Sequence, residues 1–206
     1  YTLDARSQVT ATATSGVPLW SVNIAPRSDN LSDASGGGIA TDGNTIFVTT
    51  GFGELTALDA STGAEVWTQD LDAPGTSAPT VRDGLVYVVA RNSAAWALDA
   101  SNGRIKWQLN GAPSVGNFAG GAGAAVSGDI AVFPFPSGEV VATFPEGGTR
   151  RWQTVLSGER PGNAAGLIKD IAGDPVIDGG RIYVGNFSGQ IAALDAFSGD
   201  RIWTLN

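Results

Sequence analysis

The groups able to do chemistry in this sequence are carboxylates, amines, guanidinium groups, hydroxyls and indoles. With no His and no Cys among 206 residues, imidazole bases, His-ligated metals, thiolate nucleophiles and disulfides are excluded. The acids with the most suggestive spacing are Asp170, Asp174 and Asp178. Evenly spaced carboxylates suit a hard cation, yet a calcium loop needs a denser run of oxygen ligands. Asp178-Gly-Gly180 reads better as a turn. Gly121-Ala-Gly123 could pass for a phosphate cradle, but it precedes a strand, so the helix N-terminus that binds phosphate is missing. The other acids are scattered, and spacing alone pairs none of them into a glycosidase site, which leaves hydrolysis open but unsupported. The residues therefore predict no catalytic, cofactor-binding or metal site.

What the sequence does repeat is Ala-x-Asp-x-x-x-Gly-x-x-x-Trp. It stands intact as Ala57, Asp59, Gly63, Trp67; as Ala97, Asp99, Gly103, Trp107; and as Ala193, Asp195, Gly199, Trp203. Each copy reads as a β-hairpin. The Asp carboxylate caps the turn by accepting backbone N–H groups, the Gly supplies a positive φ, and the next strand delivers a Trp. An indole buries a large area and needs an acceptor for its N–H. A Trp at a fixed offset from a small Ala suggests that one module's Trp docks on its neighbour. Two worn copies complete the set. Ala142, Phe144, Gly148 and Trp152 carry Phe in place of Asp. Gly16 and Trp20 keep the last two positions, with Thr10 and Thr12 at the first two. The tryptophans are 47, 40, 45 and 51 residues apart, a period that indicates propeller blades of several strands.

The elements that carry the motif follow. In the third module Ala78–Val81, Leu85–Ala90, Ala95–Asp99 and Arg104–Leu109 read as four strands. Runs such as Leu-Val-Tyr-Val-Val-Ala are apolar without alternation, which suits a sheet covered on both faces. Pro134 and Pro136 must end or edge their strand. No helical period is present. The fold class is all-β: four-stranded antiparallel blades over about 37–70, 78–109, 122–155 and 174–206, after an incomplete blade 1–24 lacking its opening strand. Three connections are long, 25–38, 110–123 and 156–174, and long loops on a rigid scaffold tend to carry function. The last holds Glu159, Arg160, Lys169, Asp170 and Asp174. Trp96, outside the motif, occupies the place of Thr56 and Ala192 and is expected to pack between blades; an exposed anchor is the other reading. A net charge of −8 speaks against a basic nucleic-acid or lipid-binding face. No apolar run is long enough for a membrane span.

The docking motif resembles that of the PQQ-type propeller repeats, found in quinoprotein dehydrogenases and in non-enzymatic relatives. Gly36-Gly-Gly-Ile-Ala40, Thr50-Gly-Phe-Gly-Glu54, Ser137-Gly-Glu-Val-Val-Ala142 and Asp170-Ile-Ala-Gly-Asp-Pro-Val-Ile-Asp178 are similar, more narrowly, to the BamB family. These are periplasmic lipoproteins of the outer-membrane β-barrel assembly complex. The resemblance runs from Tyr1 to Asn206. It implies an eight-bladed propeller, of which this chain would be about four and a half blades, without the lipidated N-terminal Cys. A start at Tyr1 and the lack of Met fit a part of something longer.

The resemblance also implies a partner: the β-barrel insertase, bound through inter-blade loops, with unfolded outer-membrane proteins as a second one. In the family one loop carries Asp-x-Asp; here Asp170 matches the first acid and Ala172 stands at the second. Another carries Leu-x-Leu-Arg; here Gly116-Asn-Phe-Ala119 aligns, with Phe118 the apolar match and no Arg. Phe118, Asp170, Lys169 and Arg160 are thus the expected partner-binding residues, with no cofactor. The expected role is a non-enzymatic scaffold on the periplasmic face of the outer membrane. The rivals are a fragment of a PQQ-dependent dehydrogenase, which would carry a Cys pair and a calcium acid set, and a generic PQQ-like interaction module.

Overall fold

The computed structural model describes residues 1–26, 37–75, 77–114, 121–156 and 170–205, and every regular element within them is a β-strand. Blade 1 holds β1 (Thr2–Leu3), β2 (Gln8–Thr12) and β3 (Pro18–Asn23). Blade 2 holds β4 (Gly37–Thr41), β5 (Thr45–Thr50), β6 (Glu54–Asp59) and β7 (Glu65–Asp70). Blade 3 holds β8 (Thr80–Arg82), β9 (Leu85–Val89), β10 (Ala94–Asp99) and β11 (Ile105–Asn110). Blade 4 holds β12 (Ala125–Ser127), β13 (Ile130–Pro134), β14 (Glu139–Thr143) and β15 (Arg150–Val155). Blade 5 holds β16 (Val176–Asp178), β17 (Arg181–Gly185), β18 (Ile191–Asp195) and β19 (Arg201–Leu205). Each blade is an antiparallel meander in chain order, four-stranded in blades 2 to 5 and three-stranded in blade 1, so the all-β expectation of four-stranded blades holds.

The unbroken apolar strands find their reason in the packing. On β9, Val86 and Val88 point to blade 2, where they meet Phe47, Leu55 and Ala57. Tyr87 and Val89, between them in sequence, point to blade 4 and meet Ala131, Phe133 and Val141. On β13, Ile130 and Val132 turn the other way, onto Ile182, Val184 and Leu194 of blade 5. A strand buried on both faces has no side to give to polar residues. Burying one such side chain contributes about 1.5–3 kcal/mol. Trp96 is 4% exposed and belongs to the same layer as Val88 and Leu98, so the packing reading of this residue holds. Pro134 closes β13 opposite Val140, where a missing N–H costs least.

The motif tryptophans form the joints between blades. Trp20 Nε1–H donates to the Ala60 carbonyl at 3.1 Å, Trp67 to Ala100 at 3.0 Å, Trp107 to Pro145 at 2.8 Å, and Trp152 to Ala196 at 3.0 Å. Each indole lies flat against the turn glycine of the following blade: Trp20 on Gly63, Trp67 on Gly103, Trp107 on Gly148 and Trp152 on Gly199. Each Trp pairs across its own hairpin with the motif Ala, and the register slips by one residue beside every such pair. The bulged residues are Leu19, Val66, Lys106, Arg151 and Ile202. A bulge bends the strand and re-aims its neighbours, and here it turns the indole toward the next blade. Trp203 repeats the geometry on blade 5. It is 36% exposed and no indole acceptor faces it among the described residues.

Blade 1 corrects one expectation. Its register sets Ala11, not Thr10, across from Trp20. Its turn closes with Ala13 N–H on Val17 O and Gly16 N–H on Ala13 O, whereas blade 2 closes with Asp59 N–H on Ala64 O and Gly63 N–H on Asp59 O. The turn is one residue shorter. Ala11 is the motif alanine, and Ala13 stands where the other blades have Asp or Phe.

The intact turns are capped as the motif predicts. Asp59 Oδ1 accepts the N–H groups of Ser61 and Thr62 at 3.0 and 2.8 Å. Asp195 Oδ1 accepts those of Phe197 and Ser198, both at 2.9 Å. Asp99 Oδ1 takes the Ser101 N–H and hydroxyl at 3.0 and 2.6 Å, and its Oδ2 meets Lys106 Nζ at 3.0 Å. The Ser101 hydroxyl and then Lys106 hold the Asp99 carboxyl down at about 2. The Ser61 hydroxyl lowers Asp59, and the Ser198 N–H lowers Asp195.

Two outcomes follow from these joints. Ala at Gly103 would place Cβ 2.6 Å from Trp67 Cε3 at φ +72°, whereas at Gly16, φ +86°, nothing lies within 4 Å. Both variants bear the left-handed backbone cost, but only the first also displaces a ring. Urea unfolding should therefore show Gly103→Ala losing about 2–4 kcal/mol and Gly16→Ala about 1 kcal/mol; equal losses would contradict the joint. Asp99 lies below its unfolded value of about 3.9, so its contribution is complete above that pH and is lost as the pH falls toward about 2. The urea midpoint followed from pH 5 to pH 2 should fall less steeply for Asp99→Asn than for the parent chain. Identical profiles would refute the capping role.

Candidate functional site

In a four-stranded meander the first and third turns lie at one end and the second turn at the other. The motif turns and turns such as Asp83-Gly84 share the first end. The second turns, and the strand ends that lead from one blade to the next, share the opposite end. Expected partner residues belong to those inter-blade connections. Phe118, Arg160 and Lys169 lie outside the described residues. Asp170 is described, and it shows what frames the connection between blades 4 and 5.

Asp170 is 8% exposed. Its carbonyl accepts the Phe187 N–H at 3.0 Å, and the Ala172 N–H reaches Gly185 O at 2.8 Å. Ile171 bridges Asn186 between these bonds. The segment is thereby stitched to the second turn of blade 5. Asn186, Ser188 and Gln190 of that turn are all buried. Asn186 Oδ1 accepts the Ser188 hydroxyl at 2.6 Å and the Gln190 N–H at 3.0 Å. Buried polar groups of this kind fix a loop because each partner lost leaves an unsatisfied group. Asp170 is therefore buried beside the second turn of blade 5. Phe187, on the same turn, is 45% exposed, and the sequence reading missed it. The available signal was an aromatic residue at a turn position held by Gly51, Arg91 and Pro136 in the other blades.

The remaining acids near the connections are tied to backbone. Asp174 Oδ1 accepts the Gly123 N–H and so links the entries to blades 4 and 5. Glu139, 6% exposed, accepts the Ala112 N–H through Oε2 at 2.6 Å. Asp178 lies at the opposite end, in the first turn of blade 5, where it ends β16 and leads into Gly179 and Gly180, both at positive φ. Asp170, Asp174 and Asp178 thus serve three separate local structures. Among the described residues no group of three acids comes together as a cation site. The Gly121–Gly123 segment offers its last N–H to a carboxylate of the same chain.

Comparison with known proteins agrees with this architecture. The family model described as "Outer membrane protein assembly factor BamB" matches residues 5–206. The outer membrane protein assembly factor BamB of Moranella endobia is 28% identical, over 93% of this chain and 50% of its own length. The crystal structure of BamB from Moraxella catarrhalis superposes with a TM-score of 0.74 at 24% identity, over 97% of this chain and 56% of that one. A quinohemoprotein alcohol dehydrogenase from Pseudomonas putida superposes with a TM-score of 0.63 at 18% identity, over 79% of this chain and 32% of that one; that likeness is one of fold. The chain spans about half the length of the curated relatives it matches. With a blade motif, a joint geometry and a family model that agree along nearly all of its residues, the chain belongs to the outer membrane protein assembly factor BamB family.

Proposed function

We propose that the chain is part of a non-enzymatic scaffold for outer-membrane protein assembly, working on the periplasmic face of the outer membrane and held there by a lipid anchor outside these residues. The observation that carries this reading is the family match over residues 5–206. The role of the motif residues supports it. The Ala, Asp, Gly and Trp of the repeat are spent on holding blades together, which leaves the loops free for contacts.

In this reading the connection end of the blades receives the β-barrel insertase. Phe118 supplies an apolar anchor, Asp170 pairs with a basic residue of the partner, and Arg160 and Lys169 supply steering charge. A buried anchor in a protein interface typically outweighs rim charges. Unfolded outer-membrane proteins are a second partner class, through strand pairing at exposed blade edges.

The test is co-purification of the tagged full-length protein with the insertase. Phe118→Ala combined with Lys169→Glu should cut recovered insertase by about tenfold or more, as loss of an anchor worth about 2 kcal/mol implies. Undiminished recovery would place the contact elsewhere.

A further inference from the structure

The other end of the blades carries three departures from the repeat that meet in space. Phe144 stands where three blades have Asp59, Asp99 and Asp195. Phe197 stands where blades 2 and 3 have Ser61 and Ser101. Arg151 occupies the bulge position held elsewhere by Leu19, Val66, Lys106 and Ile202. The Arg151 guanidinium carbon lies 4.7 Å from the Phe144 ring centre and 5.7 Å from that of Phe197. Its Nη1 donates to Asp129 Oδ2 at 3.0 Å and to the Asp129 carbonyl at 3.2 Å.

The fold has no need of this stack. The Phe144 turn closes with the same backbone bonds as its sisters, Phe144 N–H on Thr149 O at 2.9 Å and Gly148 N–H on Phe144 O at 3.0 Å. The Phe197 turn keeps its capping Asp195. Yet Phe144 is 44% exposed and Phe197 80% exposed. Two aromatic rings left in water on adjoining turns form a small exposed apolar patch.

Hollows flank the stack on both sides. One, of about 340 Å³, has Tyr87, Phe144 and Pro145 as its floor, and Asp83, Asp129 and Glu146 at its rim. No Lys or Arg lines it. Arg82 meets Asp83 at 3.4 Å from outside, in an exposed pair of little energetic weight. The Tyr87 phenol is pushed up to about 12, by burial first and then by Asp83 and Glu146, which marks a negative field over the floor. The second hollow, of about 480 Å³, lies between Asp129, Arg151, Asp195 and Phe197.

We propose that this turn end of blades 3–5 is a second docking surface, and that its occupant is an extended polypeptide segment pairing an aromatic side chain with a lysine or arginine. The basic side chain lays its aliphatic stem on Tyr87 and Pro145 and sets its charge among Asp83, Asp129 and Glu146. The aromatic ring stacks on the exposed face of Phe197, whose ring Arg151 holds from the other side. The chain's net charge of −8 draws such a segment in. The surface faces away from the connection end, so it stands or falls separately from the insertase contact.

The test uses the 206-residue chain and a fluorescein-labelled peptide alternating Tyr and Lys with Ser between them, read by anisotropy. Control peptides carry Glu for Lys or Ala for Tyr. Phe197→Ser restores the residue of blades 2 and 3, and Glu146→Lys reverses one rim charge; circular dichroism checks that both stay folded. The Tyr/Lys peptide should bind, and each control at least about tenfold more weakly. Phe197→Ser should weaken binding by about fivefold. Glu146→Lys should weaken it by about tenfold in low salt, and by less in about 0.5 M salt. Phe187→Ser, at the opposite end, should change nothing. Absence of binding, equal affinity for all three peptides, insensitivity to Phe197→Ser and Glu146→Lys, or a loss on Phe187→Ser would each overturn the proposal.

Discussion

An indole laid on the glycine of the next blade's turn, with its N–H on a carbonyl of the same turn, is the contact that the rest of the structure serves. Blades 1 to 5 are joined by four such contacts, and their requirements explain the repeat. The turn must have no Cβ where the ring lies. The residue paired with the Trp must be small, and the motif alanines are buried to 2% or less. The strand must bulge beside the Trp to aim it outward. The turn must hold its shape without burial, which the Asp supplies by gathering N–H groups and hydroxyls. Stability in such an array accrues joint by joint between neighbours. The apolar layers on both faces of β9 and β13 add the bulk of the burial, whereas the indole fixes how one blade meets the next.

Much of this was legible in the sequence because it is periodic. Three intact copies at fixed spacing carry the hairpins, the turn caps and the docking role of the Trp in the sequence itself. Legibility ended where periodicity ended. In blade 1 the turn has lost one residue, so counting back from Gly16 and Trp20 landed on Thr10, while pairing across the sheet picks out Ala11. Asp170 is picked out by its match to the family's Asp-x-Asp, which carries no information on burial; its low exposure goes with the strand bridge between Ile171 and Asn186. Phe187 and Phe197 sit on turns, where hydrophobic periodicity carries no signal. Comparison of each turn with its sister turns exposes both. The same comparison brings Arg151 to notice, a residue whose meaning depends on two rings from different turns.

The two ends of the blades emerge with different characters. At one end the inter-blade connections are framed by carboxylates turned to backbone amides, with Glu139 on Ala112 and Asp174 on Gly123. At the other end the turns are regular in blades 2 and 3 and carry the aromatic–guanidinium stack in blades 4 and 5. A scaffold built on repeated joints can vary the turn and connection positions that no indole touches at small cost to the fold, because those positions do not hold the blades together. A family that shares its fold with quinohemoprotein dehydrogenases can thus differ from them in its turns and connections while keeping the joints.

The central claim is that the indole contacts are the joints between blades. Hydrogen exchange of the five motif indole N–H groups, followed by NMR in the 206-residue chain, tests it most directly. The Nε1 protons of Trp67, Trp107 and Trp152, each bonded into the following blade, should exchange only through blade separation, with Trp20 protected according to the stability of the first joint. Trp203, 36% exposed, should exchange at the rate of a solvent-facing indole. Protection of Trp203 equal to the others, or rapid exchange at Trp67, Trp107 and Trp152, would contradict the account.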